Sequence, residues 1–188
     1  MPKYKCIIFD CDGVLVDSEP LGNQVMVDMA KELGAAIDLD YAYKYFKGNS
    51  LKNCIIQISK LIKPVEGILE VIKNLKIPFC VASSGPENKI KFNLELTGLL
   101  PHFKSKIFSC YTIQKWKPDP AVFLWAAKTM GFKPSECVVI EDSPIGVNAA
   151  INGGFDVFGF TTHDFNEELQ ERATKTFYSM LKLPELLE

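Results

Sequence analysis

Apolar residues fall into two patterns along this chain. Continuous runs, rich in β-branched and aromatic side chains, occupy residues 6–9, 79–82, 106–109, 137–140 and 155–160, with a further stretch near 176–178. Unbroken runs of that length predict strands buried on both faces. The segments between them carry apolar positions three and four apart, the spacing of an amphipathic helix. Leu21, Val25, Met29 and Leu33 make one such stripe, stopped at Gly34, and Asp38 can cap a short helix through Phe46, ended by Gly48. Asn49 or Ser50 can cap a third helix, with Leu51, Ile55, Ile58 and Ile62 on one side before Pro64. Further helices are predicted from 65 to 75, from 86 to about 97, through Phe123, Ala127 and Met130 to Gly131, and from 144 to 152.

Repeated strand, helix, strand units predict an α/β fold, a Rossmann-like, doubly wound, mostly parallel sheet with helices on both faces. Ligands of such sheets bind at the C-terminal ends of the strands. The stretch after the first strand is all helical, so residues 17–63 read as an insertion into a core built from 1–16 and 64–188.

Composition narrows the partners. The chain has 188 residues, 47% hydrophobic and 23% charged, enough for one core and a small insertion. A net charge of −2 and the lack of a dense Lys/Arg run give no support to a nucleic-acid or anionic-membrane partner. No apolar run approaches the length of a signal h-region or a membrane span, so a cytoplasmic location is expected. The six cysteines include no Cys-x-x-Cys pair, and Cys6, Cys80 and Cys137 lie in apolar runs, so they read as reduced core residues.

Chemistry gathers at the strand ends. Asp10 and Asp12 are two apart where the first strand stops, so both carboxylates face one spot, Cys11 points away, and Gly13 lets the chain turn. A polar turn is the plain alternative. A calcium loop fails, because counting from Asp10 puts Val14 and Leu21 where the fifth and twelfth oxygen donors belong. After the second strand, Ser83, Ser84 and Gly85 precede a helix opening at Pro86, the outline of a phosphate cradle. Lys117, in Trp-Lys-Pro-Asp-Pro, is by default a solvated lysine in a loop entering a helix. Glu141 and Asp142 end another strand, where Asp142 or Ser143 can equally cap the next helix. Lys47 and Gly48 lie in a turn between helices, and His102 and His163 have no motif beside them and read as non-catalytic.

Taken in order, these segments resemble the four motifs of the haloacid dehalogenase superfamily. The first, Asp-x-Asp-Gly-x-Leu-x-Asp-Ser, is matched by Asp10, Asp12, Gly13, Leu15, Asp17 and Ser18. The resemblance implies that Asp10 is the nucleophile and Asp12 the general acid and base; the superfamily's dehalogenases lack the second aspartate, so Asp12 points to phosphate chemistry. It further implies that Ser83, with Ser84 and Gly85, binds the phosphate and that Lys117 offsets its charge. Magnesium would be held by Asp10, the backbone carbonyl of Asp12 and Asp142, with Glu141 acting through water. The helical insertion resembles the cap of the phosphoglucomutase-like branch, shortened between Ser59 and Lys63, with Lys47 and Gly48 in the loop that reaches toward the catalytic aspartates. The resemblance as a whole implies a Mg²⁺-dependent phosphatase of small phosphorylated metabolites, working through an aspartyl-phosphate. Sugar phosphates, 6-phosphogluconate among them, are the expected substrates of a monomer or weak dimer. Phosphoglucomutase-type phosphoryl transfer and a non-catalytic phosphate-binding role are the alternatives.

Overall fold

Side-chain caps set the helix starts in the N-terminal part of the chain. Asp38 Oδ1 accepts from the Tyr41 amide at 2.8 Å, and Ser50, rather than Asn49, caps the next turn, its Oγ accepting from the Asn53 amide at 3.3 Å. The computed structural model describes residues 19–50, 53, 54, 57, 63–161 and 166–187. The predicted strand at 6–9 lies outside the described residues, as do Asp10, Asp12, Cys6, Cys11 and His163.

Two units divide the chain, Met1–Lys63 and Pro64–Glu188. In the first, α1 (Glu19–Glu32) and α2 (Leu39–Tyr45) pack through Met26, Val27 and Ala30 against Ala35, Ile37, Ala42, Phe46 and Cys54. The predicted stripe on α1 is off by one position: Val25 is exposed, and Met29 and Leu33 only flank the cluster. Ala30, fully buried, is what turns this face inward, because a methyl group lets α2 approach closely where a larger side chain would hold it off.

Among the described residues of the second unit every strand pairing is parallel. β1 (Val81–Ser83) pairs with β2 (Ile107–Ser109), while β3 (Val138–Glu141), β4 (Asp156–Phe160) and β5 (Lys175–Phe177) form a second sheet in that order. Four of the five strands begin one or two residues later than their apolar runs. The leading residues pack before the ladder starts: Phe79 meets Phe103 edge-on at 5.2 Å, and Phe155 meets Phe123 at 6.2 Å. Ser83, Ser109 and Glu141 are the last residues of their strands.

Helices cover both faces of the second sheet, as expected of a doubly wound fold. Along β4, Val157 joins a core with Val122, Ala126 and Ala127 of α7 (Ala121–Met130) and Val147 and Ala150 of α8 (Pro144–Asn152). Phe158 and Phe160 point the other way, to Val71 of α3 (Ile68–Asn74), Phe177 and Leu183. α3 starts later than predicted because Gly67 caps it with a φ of 80°, a left-handed conformation. α4 (Glu87–Leu96) follows Pro86 as predicted. The remaining helices are α5 (Leu100–Phe103), α6 (Cys110–Ile113), α9 (Asn166–Arg172) and α10 (Leu183–Leu186). No described helix is long and apolar enough to cross a membrane.

Candidate active site

Two groups of predicted residues stand at strand ends in the second unit. Ser83 closes β1 in register with Ser109 of β2. Its Oγ accepts from the Gly85 amide at 3.0 Å, while Ser109 Oγ donates to the Gly85 carbonyl at 2.6 Å. Ser109 Oγ also accepts from the Tyr111 amide at 3.2 Å and so caps α6. The turn is thereby held from two sides, with Ser84 exposed on it and the N-terminus of α4 directly after it. Ser109, almost fully buried, was not among the sequence candidates; the available signal was a lone hydroxyl ending an apolar run, Ile107-Phe108-Ser109.

Lys117 is not the solvated lysine that its loop suggests. Its side chain is 11% exposed and forms an ion pair with Glu141, itself 7% exposed. The ammonium also lies 4.7 Å from the centre of the Phe123 ring. The second carboxylate oxygen of Glu141 accepts from the Asp142 amide and the Ser143 amide, each at 3.1 Å, and from Ser143 Oγ at 2.9 Å. Such full engagement is what makes a buried charge tolerable, since burial removes water from every oxygen. Ser143, rather than Asp142, caps α8: its Oγ accepts from the Gly146 amide at 3.2 Å.

Gly146 is a second residue that the sequence reading did not single out. A Cβ there would overlap the Glu141 carboxylate. The Lys117–Glu141 arrangement therefore depends on a glycine in the first turn of α8, a signal readable only once the strand and helix are superposed.

Asp142 is exposed at the end of β3 and offers a hard oxygen donor of the kind magnesium takes. Among the described residues no three His, Cys, Asp or Glu side chains cluster to hold a metal. Burial raises the pKa of Cys80 and of Cys137 above the ordinary thiol range. The carboxylates of Asp142 and Glu141 are hard-oxygen donors of the kind a magnesium ion takes. Lys47 and Gly48 lie in the first unit, in the turn that closes α2, where the Asn49 amide donates to the Phe46 carbonyl at 2.9 Å. His102 sits half-buried in α5, away from any acidic partner among the described residues.

A cavity of about 480 Å³ lies between β1 and β3, lined by Cys80, Val81, Ala82, Val138, Val139 and Ile140 among others. Size alone would nominate it as the binding site. Its lining is overwhelmingly apolar, however, and the groups that can bind an anion or a cation stand at the strand ends beyond it.

The family model of haloacid dehalogenase-like hydrolases matches residues 51–154. The chain is 32% identical to 6-phosphogluconate phosphatase of Escherichia coli K12 over an alignment covering 99% of this chain and 96% of that protein. That alignment runs over 211 residues, longer than the present 188, so the relative carries residues with no counterpart here. Identity is 26% to the phosphorylated carbohydrates phosphatase of Thermotoga maritima, covering 87% of this chain and 88% of that one. Among solved structures, a conserved haloacid dehalogenase-like protein of unknown function from Agrobacterium tumefaciens superposes with a TM-score of 0.65 at 29% identity, over 95% of each chain. A family match over more than half of the sequence, joined to 32% identity across nearly all of it, leaves one assignment: the chain belongs to the haloacid dehalogenase-like hydrolases and is an enzyme of that family.

Proposed function

We propose that the protein is a magnesium-dependent phosphatase of small phosphorylated metabolites, sugar phosphates above all, with 6-phosphogluconate among them. The relatives named for 6-phosphogluconate and for phosphorylated carbohydrates support the substrate class. The observation that carries the reading is the buried Lys117–Glu141 pair at the end of β3, beside the exposed Asp142. The pair fixes the Lys117 ammonium in place beside a hard-oxygen donor, an arrangement that suits a site taking an anionic ester together with a cation.

In this reading a carboxylate oxygen of Asp10 attacks phosphorus, the ester P–O bond breaks, and Asp12 gives its proton to the departing alkoxide. Asp12 then takes a proton from water, whose oxygen attacks phosphorus and breaks the bond to Asp10, releasing inorganic phosphate. Ser83, Ser84 and Gly85 orient the phosphate through a hydroxyl and backbone amides. Asp10, the backbone carbonyl of Asp12 and Asp142 would hold the magnesium, and Glu141, already committed to Lys117 and three donors at the start of α8, would act on it through water. Bound there, the ion supplies charge neutralisation and polarises the phosphoryl oxygen.

The test is phosphate release from a panel of sugar phosphates with and without magnesium, with glucose phosphate isomers followed for transfer products. Asp10→Asn should abolish release while leaving circular dichroism unchanged, because an amide cannot form the acyl-phosphate. Release by the purified variant at the wild-type rate would sink the reading.

A further inference from the structure

We propose that Ser109, the last residue of β2, is a positioning residue for the substrate's phosphate: through Gly85 it fixes the Ser83–Gly85 turn so that the serine hydroxyls there act as hydrogen-bond donors. The inference deepens the phosphatase reading and rests on it. Parallel register sets Ser109 opposite Ser83 at the ends of β1 and β2, and Ser109 is 1% exposed. Its Oγ makes two bonds of opposite sense. It accepts from the Tyr111 amide at 3.2 Å and donates to the Gly85 carbonyl at 2.6 Å. Neither sense can be reversed, because an amide only donates and a carbonyl only accepts. The one hydroxyl proton of Ser109 is therefore committed to Gly85.

The hydroxyls of the turn are oriented in the same way. Ser83 Oγ accepts from the Gly85 amide at 3.0 Å, a bond that leaves its own proton unspent. Ser84 Oγ accepts from the thiol of Cys110, the residue after Ser109, a weak donor with its Sγ 3.9 Å away. Cys110 is fully buried and Ser84 exposed. Both hydroxyls thus accept from inside the protein and keep a proton to donate, and among the described residues neither has an acceptor for it. The dianion of a phosphate ester offers acceptors only, and is the complement of such a turn. Gly85 is the shared residue: its amide orients Ser83, and its carbonyl is tied to Ser109. Without the Ser109 hydroxyl, a residue with no side chain and wide backbone freedom would be anchored at one end only. The plain alternative is a serine that merely caps α6. Capping, however, uses the lone pair of the hydroxyl, whereas the proton goes to a carbonyl 24 residues back in the chain.

The test uses the full chain with Ser109→Ala, with Ser109→Thr, which keeps the hydroxyl, and with Ser109→Cys, which nearly fills the same space with a weaker donor and carries the test if the alanine variant does not fold. Measured are competitive inhibition by inorganic phosphate, and KM and kcat for glucose 6-phosphate, 6-phosphogluconate and acetyl phosphate. Ser109→Ala should raise the inhibition constant of phosphate and the KM of all three esters about fivefold, part of the worth of a hydrogen bond to a charged group, with kcat changed less than about twofold. Ser109→Cys should move both constants in the same direction, and Ser109→Thr should recover most of the loss. A residue serving only the fold would lower the active fraction, so kcat would fall while KM and the phosphate inhibition constant stayed put. That result overturns the proposal, as does an unchanged phosphate inhibition constant in whichever of the alanine and cysteine variants folds. An effect as large in a Ser83→Ala background as in wild type overturns it too, because Ser109 acts on phosphate largely through the Ser83 hydroxyl. Phosphate binding followed by calorimetry separates the two readings. Wild type whose phosphate affinity depends on Ser109 but which hydrolyses no ester leaves this inference standing and the phosphatase reading lost; hydrolysis with phosphate affinity indifferent to Ser109 does the reverse.

Discussion

Replacing Gly146 by alanine should be far more damaging than one methyl group on a helix ordinarily is. At an unconstrained helical position Gly→Ala stabilises by up to about 1 kcal/mol. Here the new Cβ would overlap the carboxylate of Glu141. A carboxylate at the end of a flexible side chain can usually swing aside at small cost, but this one is held by Lys117, by the Asp142 and Ser143 amides and by Ser143 Oγ. Moving it breaks a buried ion pair, and disrupting such a pair costs about 3–5 kcal/mol. Less the helix gain, the net loss should be about 2–4 kcal/mol, or a thermal midpoint lower by about 5–15 °C for a chain of this size. Urea and thermal denaturation followed by circular dichroism give both numbers. A double-mutant cycle isolates the cause: with Glu141→Ala in place the obstruction is gone, so adding Gly146→Ala should cost nothing or stabilise slightly. Equal losses in the two backgrounds, or a Gly146→Ala variant as stable as wild type, would refute the reasoning.

Two further outcomes are expected. Asp142→Ala should raise the magnesium concentration needed for half-maximal phosphate release at least tenfold, because a sparse oxygen site loses an anionic ligand; full activity of the wild type after exhaustive chelation would count against any metal role. Burial, helped by the neighbouring Cys137 and opposed by Lys106, raises the pKa of Cys80, so the folded chain keeps a proton that the unfolded chain gives up. That stability is present below the ordinary thiol value of about 8.5 and is lost as pH climbs toward the raised one. The urea midpoint should accordingly fall between pH 8 and pH 10 more in wild type than in Cys80→Ala, and parallel pH profiles would contradict the assignment.

Much of this protein was legible in its residues because the relevant signals are local. Apolar runs mark strands whatever they pair with, although β1 and the apolar residues of β3 are only partly buried, and Asp38, Gly131 and Pro86 mark helix ends through the capping chemistry of their own neighbourhood. The order of Asp10, Ser83, Lys117 and Asp142 along the chain was likewise enough to suggest the family to which it belongs. Other features depend on what comes across from elsewhere. The first helix turns Ala30 inward rather than Val25 because α2 needs a close approach, and a single stripe cannot reveal its neighbour. The loop around Lys117 reads by default as solvated, yet the side chain is largely buried, since its partner Glu141 lies 24 residues away at the end of β3. Ser109 supports the Gly85 turn only because parallel register sets it opposite Ser83. Gly146 matters only because β3 delivers a carboxylate to the place where its side chain would be. Local chemistry names the strand ends; tertiary packing decides which charges are neutralised there, because ion pairs and steric exclusion act through space and leave no period in the chain.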